Sequence, residues 1–200
     1  MSESVGKIIT NVLQALYQPF IFAIALSFLV VFLVMYLEKY NGRAWRKQLK
    51  QAIVDWKIKL KESKKTRRLV YFVFFVAMVL FKTLFIRDMW ENPLSDVIGT
   101  WGFYDRFGRF TTEIIENVVL FIPLIFFLFF FLETTSKRTS KFLAVMGRAI
   151  AISFLSSLAI EMLQLFLRLG TWQLSDLCFN TLGGVIGGLI YWVSAKCRGV

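Results

Sequence analysis

Five unbroken apolar runs decide what this chain can fold into: about residues 17–37, 69–86, 113–132, 149–167 and 177–195. A helix rising about 1.5 Å per residue needs about 20 residues to cross about 30 Å of hydrocarbon. The first, fourth and fifth runs have that length. The second is slightly short, and Lys82 can extend it by snorkelling. The third is strongly apolar only over 118–132, so to span it must draw Glu113, Glu116 and Asn117 into the bilayer edge. Transmembrane strands would alternate, and these runs do not. With 57% of its 200 residues hydrophobic and 18% charged, the chain carries more apolar surface than a water-soluble domain of this size can bury. The expectation is an all-α polytopic membrane protein of five transmembrane helices in a single membrane domain, 1–200.

Lysine and arginine set the orientation. The segments 38–68 and 133–148 and the C-terminal tail hold eighteen of them, twelve in 38–68 alone. The opposite side holds five: Lys7, Arg87, Arg106, Arg109 and Arg168. The positive-inside rule then puts the N-terminus outside and the C-terminus in the cytoplasm. The net charge of +11 is thereby read as an orientation signal, and no nucleic-acid partner is expected. Residues before the first run lack the pattern of a cleaved signal peptide. The stripe Ile8, Ile9, Val12, Leu13 and Leu16 is expected to lie along the outer interface. In the basic loop, Trp45, Leu49, Ile53, Trp56 and Leu60 recur at helical spacing, as in an amphipathic helix resting on the anionic inner leaflet. The loop 87–115 carries Trp90, Trp101, Phe103 and Tyr104, suited to an interfacial belt, with turns at Asn92-Pro93, Gly99, Gly102 and Gly108.

The polar residues that remain near the membrane converge. Helical spacing puts Arg109, Glu113 and Asn117 on one face of the third span, with Glu116 beside them. It puts Glu161, Gln164 and Arg168 on one face of the fourth, and Asp176 and Asn180 at the start of the fifth. All lie at one level, the outer third of the bilayer. Glu161 sits about 9 Å inside its run by helix rise, where an unpaired charge is costly. Arg109 and Arg168 are the expected cations for Glu113, Glu116, Glu161 and Asp176. The same groups read equally as a network that only ties helices together. Gly183, Gly184, Gly187 and Gly188 form two overlapping G-x-x-x-G pairs, expected to serve internal packing before dimerisation, and Pro123 is expected to kink the third span. With no His and two Cys, Cys178 and Cys197, too far apart on one helix to pair, the chain offers no histidine-ligated metal site and no disulfide. No cofactor and no metal are expected.

Arg109 with Glu116-Asn117-Val-Val-Leu-Phe-Ile-Pro123, then Ile160-Glu161-Met-Leu-Gln164-Leu, then Ser175-Asp176-Leu-Cys-Phe-Asn180-Thr-Leu-Gly183-Gly184-Val-Ile-Gly187 resemble the VanZ-like family of membrane proteins. The resemblance covers about 68–195, leaving 1–68 as an added first helix and basic loop before a core of 69–195. Members commonly carry acidic residues where this chain has Gln173 and Ser175, so no multi-carboxylate metal role is implied here. The family is linked to reduced sensitivity to teicoplanin, a lipid-anchored glycopeptide acting on cell-wall precursors at the outer leaflet. That implies a bacterial cytoplasmic membrane. The resemblance transfers no catalytic residue; it marks Arg109, Asn117, Glu161, Gln164, Asp176 and Asn180 as motif positions.

The leading expectation is a non-enzymatic protein whose outer-leaflet polar site meets an amphiphile: a lipoglycopeptide, a lipid-linked wall precursor or a phospholipid head group. Membrane lipids are the expected partners, and the oligomeric state is left open. The alternative is an intramembrane hydrolase or transferase on a lipid-linked substrate, with Glu161 as general base and Arg109 stabilising an anionic transition state. No nucleophile elbow or phosphate loop accompanies those residues. A transporter is the third reading, but beyond Ser153, Ser156 and Ser157 the inner halves of the last three spans offer little polar lining.

Overall fold

The computed structural model describes residues 2–39, 45–105, 107–134 and 141–199. Several of the counted charges (Arg43, Arg106, Lys137 and Arg138) lie outside the described residues, as do the side chains of Trp45, Arg46 and Lys47. Among the described residues six helices follow in order: α1 (Ser2–Lys39), α2 (Trp45–Glu62), α3 (Lys64–Leu80), α4 (Glu113–Leu132), α5 (Phe142–Leu167) and α6 (Leu174–Cys197), with a π turn, Phe81–Phe85, prolonging α3. All but α2 are long and apolar enough to cross a membrane.

The spans outrun their apolar runs, because a helix stops where a backbone signal stops it and not where hydrophobicity ends. α1 is one continuous helix from Ser2, so residues 8–16 do not form a separate interfacial segment. Nothing before Pro19 breaks it, Ala15 is buried, and Asn11 Nδ2 donates to Thr112 Oγ1 at 3.1 Å. Pro19 and Pro123 both lie inside continuous helices. Between α2 and α3 the break is Ser63, whose hydroxyl caps α3 by accepting from the Thr66 N–H at 3.2 Å. On α2, Trp56 packs edge-on against Phe28 and Phe32 of α1, while Leu49 and Ile53 of the same expected stripe stay exposed.

The helices pack in the order α5, α6, α4, α3, α1, each mainly against its neighbours in that series. Glycine sets the closest approaches. A Cβ on Gly183 or Gly187 would run into the α4 backbone carbonyls of Val118 and Ile122; one on Gly184 or Gly188 would run into Ser153 and Ala149 of α5. One G-x-x-x-G pair thus faces each neighbour, inside the molecule. Ile125, Phe129, Val145, Ala149, Tyr191 and Ala195 fill the core beside this seam. Cys178 and Cys197 are exposed and unbridged.

The two ends of the bundle differ. At one end Arg68 and Arg198 clasp Glu133, at 3.4 and 2.7 Å, with Arg68 lying 3.6 Å over the Phe130 ring. At the other, the described residues of 86–112 form a loop sewn to the α5–α6 turn. Trp90 N–H donates to Arg168 O (2.7 Å), Gly170 N–H to Asp88 O (3.1 Å), Trp172 N–H to Pro93 O (2.8 Å) and Leu174 N–H to Val97 O (2.9 Å). Within the loop, Asp105 and Arg109 close a small hairpin through Gly108, whose φ of 75° suits glycine. The loop is a cover held down by backbone bonds.

Candidate functional site

Beneath that cover the spans present their polar side chains at one level, but not in the expected pairs. Asp176, in the first turn of α6, is nearly buried and accepts from Arg87 Nη2 at 3.1 Å and Asn117 Nδ2 at 2.8 Å. Glu116 accepts from Lys82 Nζ at 2.9 Å and from Thr112 Oγ1 at 2.6 Å. Glu161, 1% exposed, accepts from the backbone N–H of Gln173 at 2.9 Å. Gln164 donates to the carbonyl of Thr83 at 2.7 Å, and Asn180 to Ser157 Oγ at 2.9 Å.

Each contact has a local cause. At the π turn the backbone bond runs from Ile86 N–H back to Phe81 O at 3.1 Å, and the helix ends there. Terminal carbonyls therefore lack helical donors, and Gln164 from α5 supplies one to Thr83. The same change of winding brings Lys82 to Glu116, then releases the chain so that Arg87 turns to Asp176. α5 ends on Arg168 in the left-handed region, φ 55°. Two residues later Gly170, φ 74°, passes so close to the Arg87 guanidinium that a Cβ would contact it at 2.9 Å. A side chain there would displace the cation from its acid.

Two expected members of the cluster are corrected. Helical spacing puts Arg109 and Arg168 in the cluster only if the helices run on past the points where they stop. α4 begins after Thr112, so Arg109 belongs to the loop hairpin, 73% exposed and paired with Asp105 at 2.7 Å. Arg168 is the left-handed cap; its side chain is exposed and makes no ion pair among the described residues. The buried acids are served by Arg87 and Lys82 instead. By sequence alone Lys82 reads as a snorkelling residue and Arg87 as an orientation charge. The sequence signal for them was their place at the end of the short second span, where a cation must face either water or an acid. Glu113 is exposed and forms no ion pair among the described residues.

A cavity of about 370 Å³ opens beside this layer, between the loop and the α5–α6 turn. Arg87, Arg109, Asp88, Asp96, Asp105 and Glu113 bring both signs of charge to its wall, and Gln173 and Thr100 bring neutral polar groups. Two wall residues are held from behind by buried acids: Arg87 by Asp176 and Gln173 by Glu161. Asn117, Gln164 and Asn180 stand behind the wall and not in it. At the rim, the Arg109 backbone N–H and guanidinium hold the Asp105 carboxyl below the usual aspartate range. Among the described residues no group of His, Cys, Asp and Glu is arranged to hold a metal ion. The arrangement can receive a polar head carrying both an anionic and a cationic group.

No curated protein and no solved structure matches this chain. The VanZ/LLP1 family matches residues 20–195, taking in the second half of α1 and all of α2 along with the later helices that carry the polar layer. With five apolar helices and that match over nearly its whole length, this membrane protein belongs to the VanZ/LLP1 family.

Proposed function

We propose that the loop-end cavity is a head-group site for an amphiphile held in the outer leaflet of a bacterial cytoplasmic membrane, and that the protein binds this ligand without transforming it. The observation that carries the reading is a cavity of about 370 Å³ walled by two arginines and four acids. Arg87 and Arg109 suit phosphate or carboxylate; Asp88, Asp96 and Glu113 suit an ammonium group. Lipoglycopeptides, lipid-linked wall precursors and zwitterionic phospholipids all carry such a pair. The basic end then faces the cytoplasm, in keeping with its surplus of lysine and arginine. Binding at this site lowers teicoplanin sensitivity by withholding either the drug or the surface on which it acts.

The test compares cells expressing the wild type with cells expressing Glu161→Ala or Arg87→Gln at equal abundance in the membrane. Both variants are expected to lose the protection against teicoplanin. Undiminished protection in both removes the cavity from the function.

A further inference from the structure

A second cavity, of about 260 Å³, lies on the lateral face of the bundle, within the apolar length of the helices. Val76 and Leu80 of α3 form one wall, Ala159 and Leu163 of α5 the other, and Leu124 and Leu128 of α4 the floor. Ser156 is its one polar lining residue. The walls come together chiefly where the π turn meets α5, so the groove stays open sideways below that point. Along α5 it runs from Ile152 to Leu163, about 16 Å by helix rise. That is close to the depth of one leaflet's hydrocarbon, about half of 30 Å. Its upper end is level with Glu161 and Gln164, the layer that backs the charged cavity.

An apolar space of this size holds no water stably, and left empty it forfeits the contacts of its lining. The molecules available at this depth are hydrocarbon chains. The groove and the cavity approach each other at the Gln164–Thr83 bond: Leu163, a groove residue beside Gln164, is 44% exposed, and Ile86, a cavity residue three positions after Thr83, is 42% exposed. We infer that the groove holds an acyl chain of a phospholipid whose zwitterionic head occupies the loop-end cavity, so that head and tail are read in two chambers of one site. This rests on the head-group reading and adds to it the ligand class, a zwitterionic phospholipid, and a dependence on chain length.

The test uses the full chain in detergent, titrated with dihexanoyl- and dipalmitoyl-phosphatidylethanolamine and read by native mass spectrometry. The wild type is expected to retain the long-chain lipid about tenfold better, and Ala159→Phe, which fills the groove, to lose that preference while still binding the short-chain lipid. Ser156→Phe fills the same space from a neighbouring turn. Leu155→Phe, at a residue 61% exposed and outside the groove, is expected to behave as the wild type. Equal retention of both lipids by the wild type, or a preference that survives filling, overturns the groove and leaves the head-group reading standing. Retention of both lipids undiminished by Arg87→Gln overturns the head-group reading and the joined site with it. Without any substitution, a phosphatidylethanolamine bearing a diazirine in its chain should label peptides containing Val76, Leu128 or Leu163. Labelling spread evenly over Leu155 and Phe166 as well would count against the groove.

Discussion

The two ends of the bundle carry similar ion pairs and use them for different ends. Glu133 at the basic end and Glu116 at the loop end have side chains about equally shielded, 11% and 12% exposed. Glu133, however, is held by two arginines, stacked with Phe130 against helix ends. The acid there is matched twice over, and the contact closes on itself as a clasp. At the loop end acids outnumber the cations that reach them. Arg87 serves Asp176, Lys82 serves Glu116, and Glu161 has a backbone N–H. Beside that imbalance lies a cavity. A buried acid with cations to spare ties helices; a buried acid with none, behind a hollow wall, leaves chemistry available to a ligand.

Four measurements break or sharpen this contrast. Asp176→Leu deprives Arg87 and Asn117 of their shared acceptor and should cost about 3 kcal/mol in detergent unfolding, the low end for a broken buried pair because Arg87 is partly exposed. Glu133→Leu should cost less, about 1–2 kcal/mol, since both arginines can swing to the head groups. A larger loss at Glu133 than at Asp176 would erase the distinction between the ends. Asn180→Val removes only the bond to Ser157. By the measured run of interhelical hydrogen bonds it should cost about 0.6 kcal/mol, visible as a small fall in melting temperature with phospholipid retention intact.

The smallest effect concerns the hairpin at the cavity rim. Asp105 has a native pKa below its unfolded one. Its contribution is therefore present above the ordinary aspartate value, about 3.9, and is lost as pH falls through the lower native value. Amide exchange at Phe107 and Arg109, whose N–H groups donate to that carboxylate, should quicken relative to the α4 amides in that acid range. Unchanged relative exchange would mean that Asp105 does not hold the rim.

The membrane helices were legible because apolar run length is a local property of sequence, and the third span drew in Glu113, Glu116 and Asn117 as its shortage demanded. So was the level at which Asp176, Asn117 and Glu161 gather. What could not be read was which cation meets which acid. That depends on a π turn at 81–85, on the left-handed turn at Arg168, and on a loop bonded to residues some 80 positions away in sequence. Helical spacing carried Arg109 and Arg168 into the cluster because nothing in periodicity marks where the hydrogen-bond ladder stops. Gly170, with its close approach to Arg87, is the nearest thing to a visible sign.

The glycines of α6 have a mechanical consequence. A slide of α6 by one turn, about 5.4 Å, would push either Tyr191 and Trp192 or Phe179 and Asn180 into places where α4 and α5 leave room only for a hydrogen atom. Neither displacement can be absorbed, so the helix is locked in height. Asp176 rides at its top, and the anchor of Arg87 is thereby fixed at a set depth, however the covering loop breathes above it.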